Sequence, residues 1–162
     1  MTTGVPGYAN SRAIAFSPKG DRLLVGGDRG ASLLDVKTGK SIREFPMGTQ
    51  GSSWISSVAF SPDGRRMIAG LRSEGAAIWD VKTGKRLLTL SDQSRVGEVV
   101  VAFSPDGKRV LTGIDDAATE DGNTTRLWNA TSKFLRRVPD WLKPARYQVA
   151  LPEIRLDHDG GH

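Results

Sequence analysis

Only two histidines occur in the 162 residues, His158 and His162, and both fall in the closing run Asp157-His158-Asp159-Gly160-Gly161-His162. Imidazole and carboxylate are metal-ligand types. The glycines between them fix no distances, however, and a metal site needs held ligands with a supporting shell. The run reads as a solvated tail. A serine–histidine–acid triad would need a histidine on the folded part of the chain, and none is there. Cysteine is absent, which removes thiolate ligands, disulfides and a cysteine nucleophile. The acids Asp115, Asp116, Glu120 and Asp121 gather between Ile114 and Thr124 without the Asp-x-Asp-x-Asp-Gly spacing of a calcium loop, and read as a solvent-exposed insertion. No glycine-rich phosphate loop or dinucleotide fingerprint is present. These residues therefore predict no catalysis, no metal and no cofactor.

The formal net charge is +5, and it is concentrated. Between Thr131 and Gln148, Lys133, Arg136, Arg137, Lys143 and Arg146 face only Asp140, with Phe134, Trp141 and Tyr147 interleaved. Cations and aromatics in this mixture can meet phosphates and stack bases. The plainer reading is a strand with one wet face followed by a polar connection, and nucleic acid is not adopted as the partner. The N-terminus lacks the basic and apolar regions of a leader, and no run approaches the ~18 apolar residues of a membrane span. The expectation is a cytoplasmic protein with no membrane partner.

The strongest pattern is a repeat. Ile14-Ala15-Phe16-Ser17-Pro18-Lys19-Gly20 returns as Val58-Ala59-Phe60-Ser61-Pro62-Asp63-Gly64 and as Val101-Ala102-Phe103-Ser104-Pro105-Asp106-Gly107. The phenylalanines are 44 and 43 residues apart. In each copy an apolar pair alternates with alanine, as on a strand whose side chains change face at every residue. Ser-Pro-x-Gly supplies a turn, proline presetting φ and glycine permitting the positive φ that closes it. A short apolar run follows and ends on glycine: Arg22–Gly26, Arg66–Gly70 and Arg109–Gly113. Its composition suits a strand buried on both faces. Third strands are expected at Ala31–Asp35, Ala76–Asp80 and Thr125–Asn129. Fourth strands are expected at Ser41–Phe45, Arg86–Leu90 and Lys133–Val138. Four short strands about every 43 residues describe the blade of a β-propeller. The predicted class is all-β, with about three blades of four antiparallel strands in an open or incomplete ring.

With these motifs in place, the chain resembles the WD-repeat family over roughly residues 11–138. The dipeptide that ends the third strand is intact at Trp79-Asp80 and degenerate at Leu34-Asp35 and Trp128-Asn129. The resemblance implies structural roles for Asp35, Trp79, Asp80 and Trp128. It also implies one for Asp28, at the place of the aspartate that braces the turn before the third strand. The family's Gly-His pair before the first strand is absent, so the tetrad built on that histidine cannot form. Tol-type and lactonase-like propellers also use Ser-Pro-Asp-Gly turns and remain the alternative, with a catalytic or ligand-binding role. Trp79-Asp80 followed by Val-Lys-Thr-Gly-Lys favours WD repeats.

The implied division is an N-terminal arm (1–10), three blades (about 11–53, 54–97 and 98–138) and a C-terminal extension (139–162). Three blades fall short of the four to eight of a closed ring. The expectation is a fragment of a larger propeller or an assembly in which further blades or further copies close the ring. The resemblance implies a scaffold that docks a protein or peptide on the loops joining strands two and three and joining successive blades. In those loops Trp54, Arg72, Glu74 and Arg95 are the candidate contacts, since tryptophan and arginine most often dominate interfaces. Packing between blades is an equal reading for Trp54.

Overall fold

The structure is a computed structural model that describes residues 10–28, 30–46, 54–72, 74–90, 97–115 and 123–131. Every regular element among them is a strand. The first sheet holds β1 (Ala13–Phe16), β2 (Arg22–Gly27), β3 (Gly30–Asp35) and β4 (Ser41–Pro46). The second holds β5 (Ile55–Phe60), β6 (Arg66–Leu71), β7 (Gly75–Asp80) and β8 (Arg86–Leu90). The third holds β9 (Glu98–Phe103), β10 (Arg109–Asp115) and β11 (Asn123–Asn129). Each sheet is an antiparallel meander in chain order. The all-β blade architecture read from the repeat is the observed one. The expected fourth strand of the third unit, Lys133–Val138, lies outside the described residues.

Local chemistry closes each hairpin in the same way. In the middle sheet Gly64 takes φ 68° and its N–H donates to the Ser61 carbonyl at 2.8 Å. The Ser61 hydroxyl meanwhile accepts the Arg66 N–H at 2.9 Å. The outer hairpin is tied by aspartate. Asp80 Oδ1 accepts the N–H and hydroxyl of Thr83 at 2.6 and 2.7 Å, and Asp35 does the same with Thr38 at 2.7 Å each. Asn129 Oδ1 accepts the N–H and hydroxyl of Thr131, two residues on rather than three, at 2.9 and 2.7 Å.

One expectation needs adjusting. The insertion assigned to Ile114–Thr124 is partly sheet, because β10 and β11 continue pairing through Ile114↔Thr124 and Asp115↔Asn123. Cross-strand pairing satisfies backbone groups that an exposed loop would leave to water, so the ladder runs on for as long as the two segments stay in register.

Two apolar cores hold the sheets side by side. One joins the first and second sheets through Ala13, Leu24, Leu33 and Phe45 on one side and Ile55, Val58, Met67, Leu71 and Trp79 on the other. The second joins the middle sheet to the third through Ile68, Ile78 and Leu90 against Val99, Val101, Val110 and Ile114. The alternation in the repeat explains the arrangement: Val58 and Phe60 face the first sheet while Ala59 faces the third. Fully burying side chains such as Met67, Ile68, Leu71 and Ile78, each no more than 1% exposed, stabilises the fold by about 1.5–3 kcal/mol apiece.

Glycine sets the spacing of these joints. A Cβ on Gly70 would stand 2.2 Å from the Val99 carbonyl oxygen, and one on Gly26 would stand 2.5 Å from Ile55 Cγ2. Around Gly70 the bulge at Ile55/Ser57 sends the Ser56 hydroxyl across the joint, where it donates to Val99 O at 2.8 Å and accepts from Val99 N at 3.0 Å. Gly70→Ala is therefore expected to cost about 3 kcal/mol or more. Gly26→Ala should cost less, because a side chain can shift where a hydrogen-bonded backbone cannot. Urea unfolding midpoints of the two variants check the order, and equal losses would contradict it.

Candidate functional site

The loops that leave β2 and β6, together with the segment that enters β5, meet at one end of the first two sheets. Trp54 lies immediately before β5 and is half-buried. The Arg72 guanidinium stacks over its ring at 3.9 Å and that of Arg12 at 4.9 Å. Arginine over tryptophan is the best cation–π pairing, worth about 0.5–2 kcal/mol according to exposure. Backbone bonds fix the stack: Arg72 N donates to Trp54 O at 3.2 Å, and Gly97 N donates to Arg72 O at 3.3 Å. Arg12 is oriented in turn by Asp28, whose carboxylate lies 3.5 Å from Arg12 Nε and accepts from Asn10 Nδ2 at 2.9 Å. Asp28 thus ties the approach to β1 to the β2–β3 turn.

The structure brings Trp54 and Arg72 together as the sequence reading had grouped them. Trp54 is partly enclosed and partly in solvent. The indole Nε1 is covered and has no hydrogen-bond partner among the described residues, while the residue keeps part of its surface in solvent. Glu74 is half-buried and directed to Arg86, with 3.2 Å between carboxylate and guanidinium. Arg95 lies outside the described residues. So do Asp157, His158, Asp159 and His162, the loop acids Asp116, Glu120 and Asp121, and the basic stretch from Lys133 to Arg146.

Two arginines escaped sequence reading. Arg12 has no counterpart in the other repeats, so no pattern marked it. Arg66 did leave a signal, because Arg22, Arg66 and Arg109 recur at one place in each unit. Arg66 reaches from the second sheet to the third, donating to Ala130 O at 2.7 Å and to Gly107 O at 2.6 Å, with its guanidinium 5.4 Å from the Phe103 ring centre.

The remaining polar chemistry serves turns. Thr38 and Thr83 hydroxyls and N–H groups hold Asp35 and Asp80 below the ordinary carboxylate range. Ser61 and Ser104 hydroxyls, with backbone N–H groups, do the same for Asp63 and Asp106. Trp79 is buried in the first core, with Arg86 over its ring at 5.4 Å, and Trp128 Nε1 donates to Thr112 Oγ1 at 2.8 Å. No group of three acids or histidines among the described residues is arranged to hold a metal ion. No described helix is long and apolar enough to cross a membrane.

Residues 39–80 match the family model described as "WD domain, G-beta repeat". That stretch is similar to one WD repeat. Its curated relatives include the nuclear distribution protein nudF of Aspergillus niger, 32% identical over 80 residues, which cover 48% of this chain and 17% of that protein. The guanine nucleotide-binding protein subunit beta of Arabidopsis thaliana is 34% identical over 83 residues, 49% of this chain and 22% of that one. The chain thus spans about a fifth of the length of these relatives. Among solved structures, Kuenenia stuttgartiensis hydrazine synthase superposes with a TM-score of 0.65 at 20% identity over 78% of this chain and 36% of that one, a likeness of fold alone. The matched WD repeat straddles two sheets, since residues 39–80 contain β4 of the first and β5, β6 and β7 of the second.

The turn aspartates carry a pH dependence. Their folded pKa values are depressed, so the stability they contribute is present above the unfolded aspartate value of about 4 and is lost as pH falls through the folded values. The urea midpoint should hold from pH 7 to pH 5 and drop below about pH 4. The double variant Asp35→Asn, Asp80→Asn should fold at pH 7, because an amide oxygen can accept the same threonine hydrogen bonds, and should lose less of its midpoint than the parent between pH 5 and pH 3. Equal acid losses would remove these carboxylates as the cause.

Proposed function

We propose that this WD-repeat chain is a non-catalytic scaffold that docks a protein or peptide on the end bearing Arg12, Asp28, Trp54 and Arg72. The observation that carries the reading is the pair of guanidinium groups gathered on the Trp54 ring, with Arg72 fixed through backbone bonds at its N–H and carbonyl. A partner meeting this surface finds aromatic area and positive charge already ordered, so little side-chain entropy remains to be lost on binding. Aromatic and arginine side chains are those that most often dominate protein interfaces. WD repeats of this kind occur in the guanine nucleotide-binding protein subunit beta, whose name places it in a multi-subunit protein. Arg95 belongs to the same reading, as does a cytoplasmic setting.

The guanidinium pair favours a peptide that presents a carboxylate beside an apolar side chain, because the indole offers the apolar surface and the arginines the charge. Display of random peptides on the immobilised chain tests this. Selected sequences should be enriched in Asp or Glu next to Leu, Ile, Phe or Trp. Arg72→Ala should weaken the best of them by about tenfold to a hundredfold, and Arg95→Ala by less. Capture unchanged by Arg72→Ala would defeat the proposed face.

A further inference from the structure

The strand β5 leads away from Trp54 to the turn at 61–65, at the opposite end of the sheets. That end is built from hairpin turns. In each of the first two sheets the turn after the first strand lies beside the turn after the third: Val36 N donates to Asp21 O at 3.0 Å, and Val81 N to Arg65 O at 2.9 Å. The turns also meet across the joints, where Pro18 lies 3.5 Å from a Cβ position on Gly64 and Pro62 lies 3.4 Å from one on Gly107. The segments 17–22, 35–40, 61–66, 80–85 and 104–109 hold ten lysines and arginines against five aspartates. The aspartates are committed to the turns. Asp35, Asp63, Asp80 and Asp106 each accept from a hydroxyl and a backbone N–H of their own hairpin, and Asp21 accepts from Ser17 Oγ. No lysine side chain takes part in these bonds. At the Trp54 end, by contrast, Arg12 stands by Asp28 and Arg72 is followed two residues on by Glu74.

Arg43 gives this basic end a fixed centre. It is half-buried and crosses from β4 of the first sheet to the turn between β7 and β8 of the second, where Nη1 donates to Thr83 O at 3.3 Å. Its side chain lies against Gly84, with Cδ 3.2 Å and Nη1 3.3 Å from where a Cβ would be. The exposed Lys82 and Lys85 flank the two residues that Arg43 touches, and the exposed Lys37 and Lys40 lie in the turn that leads into β4. The carboxylates of the neighbourhood are engaged: Asp80 holds Thr83, and Glu44 accepts from the Ser32 and Ser41 hydroxyls at 3.0 Å each. A guanidinium is thus held beside a lysine-rich turn with a carbonyl for its partner. Like charges gathered in this way repel one another and raise the local concentration of anions.

We infer that the turn end of the first two sheets docks an acidic protein segment, with Arg43 as the fixed cation and Lys37, Lys40, Lys82 and Lys85 around it. The sign of the charge calls for an anion, and its distribution over two hairpins calls for several carboxylates. The planar fork of Arg43 suits one of them, while lysine ammonium groups are compact charges on flexible stems that can follow a chain. The turns carry no aromatic ring on which a base could stack. Aspartates set among the lysines would stand against a continuous array of phosphates, whereas an acidic chain can place its carboxylates between them. The joint crossed by Arg43 is internal, with a described sheet on each side, so it does not depend on what adjoins the outer faces of the first and third sheets. It is also a different surface from the Trp54 end and stands independently of the reading given for that end.

Fluorescence anisotropy of a labelled oligoglutamate peptide, titrated with the full chain, tests the inference. The peptide should bind at low salt and lose about tenfold or more of its affinity between about 50 and about 300 mM salt. Arg43→Ala should weaken binding by about tenfold. The double reversal Lys82→Glu, Lys85→Glu should weaken it by about a hundredfold with unchanged circular dichroism, since both side chains are exposed and outside the turn bonds. Lys108→Ala, at the same end but on the third sheet, should weaken it by less than about twofold, and Arg72→Ala should leave it unchanged, which separates this surface from the Trp54 end. No binding at low salt, a double reversal without effect, equal losses from Arg43→Ala and Lys108→Ala, or capture of a DNA duplex with none of the peptide would each overturn the proposal.

Discussion

The close approach of one sheet's inner strand to the backbone of the next is the constraint on which the structure depends. At Gly70 the gap admits a hydrogen atom and not a methyl group, because Val99 O occupies the space a side chain would take. That proximity lets Ser56 bond both the N–H and the carbonyl of Val99, and it brings Val101 N within 3.3 Å of Ser57 Oγ. The apolar cores to either side can close only at this spacing. Alanine in the first strand and glycine at the end of the second are therefore parts of one device, in which small residues on one blade make room for the bulky residues of its neighbour.

Much of this was readable in the chain. The strands, the Ser-Pro-x-Gly turns and the Trp-Asp ends are local features, and a local feature repeated three times announces itself. The place of Trp79 and Asp80 at the end of the third strand followed from position in the repeat, whereas the bonds of Asp80 to Thr83 came only with the structure. What joins one blade to another was harder to see, since such contacts link residues roughly one repeat apart. The stack of Arg12 on Trp54 pairs two residues that no repeated pattern connects. Arg66 was legible in principle from its recurrence beside Arg22 and Arg109. A recurring arginine at the start of a strand reads at first as a solvated charge, however, and only the neighbouring carbonyls show what it holds. The added rung between β10 and β11 was hidden by the acidic composition of the segment, because backbone pairing is indifferent to the charge the residues carry.

The same physics accounts for how function can be distributed over the molecule. The cores and turns fix the sheets, so their ends can carry side chains chosen for other purposes. Trp54 shows the transition, one edge covered by the fold and one surface left to solvent. Arg72 is placed by two backbone hydrogen bonds, and its side chain is therefore presented by the scaffold rather than by a free loop. Glu74, two residues on, is drawn back toward Arg86. Neighbouring residues in one short turn thus divide between the scaffold and the surface.

The offset between the WD repeat and the sheet has a consequence for how such a chain can lengthen. A duplicated segment with the bounds of residues 39–80 would insert the outer strand of one blade and the inner three of the next. Both edges of the newcomer would arrive already fitted to what stands before and after it. Copy number can then change in whole steps during evolution without a period in which the apolar faces are mismatched, and the ring size becomes a property that gene duplication can tune.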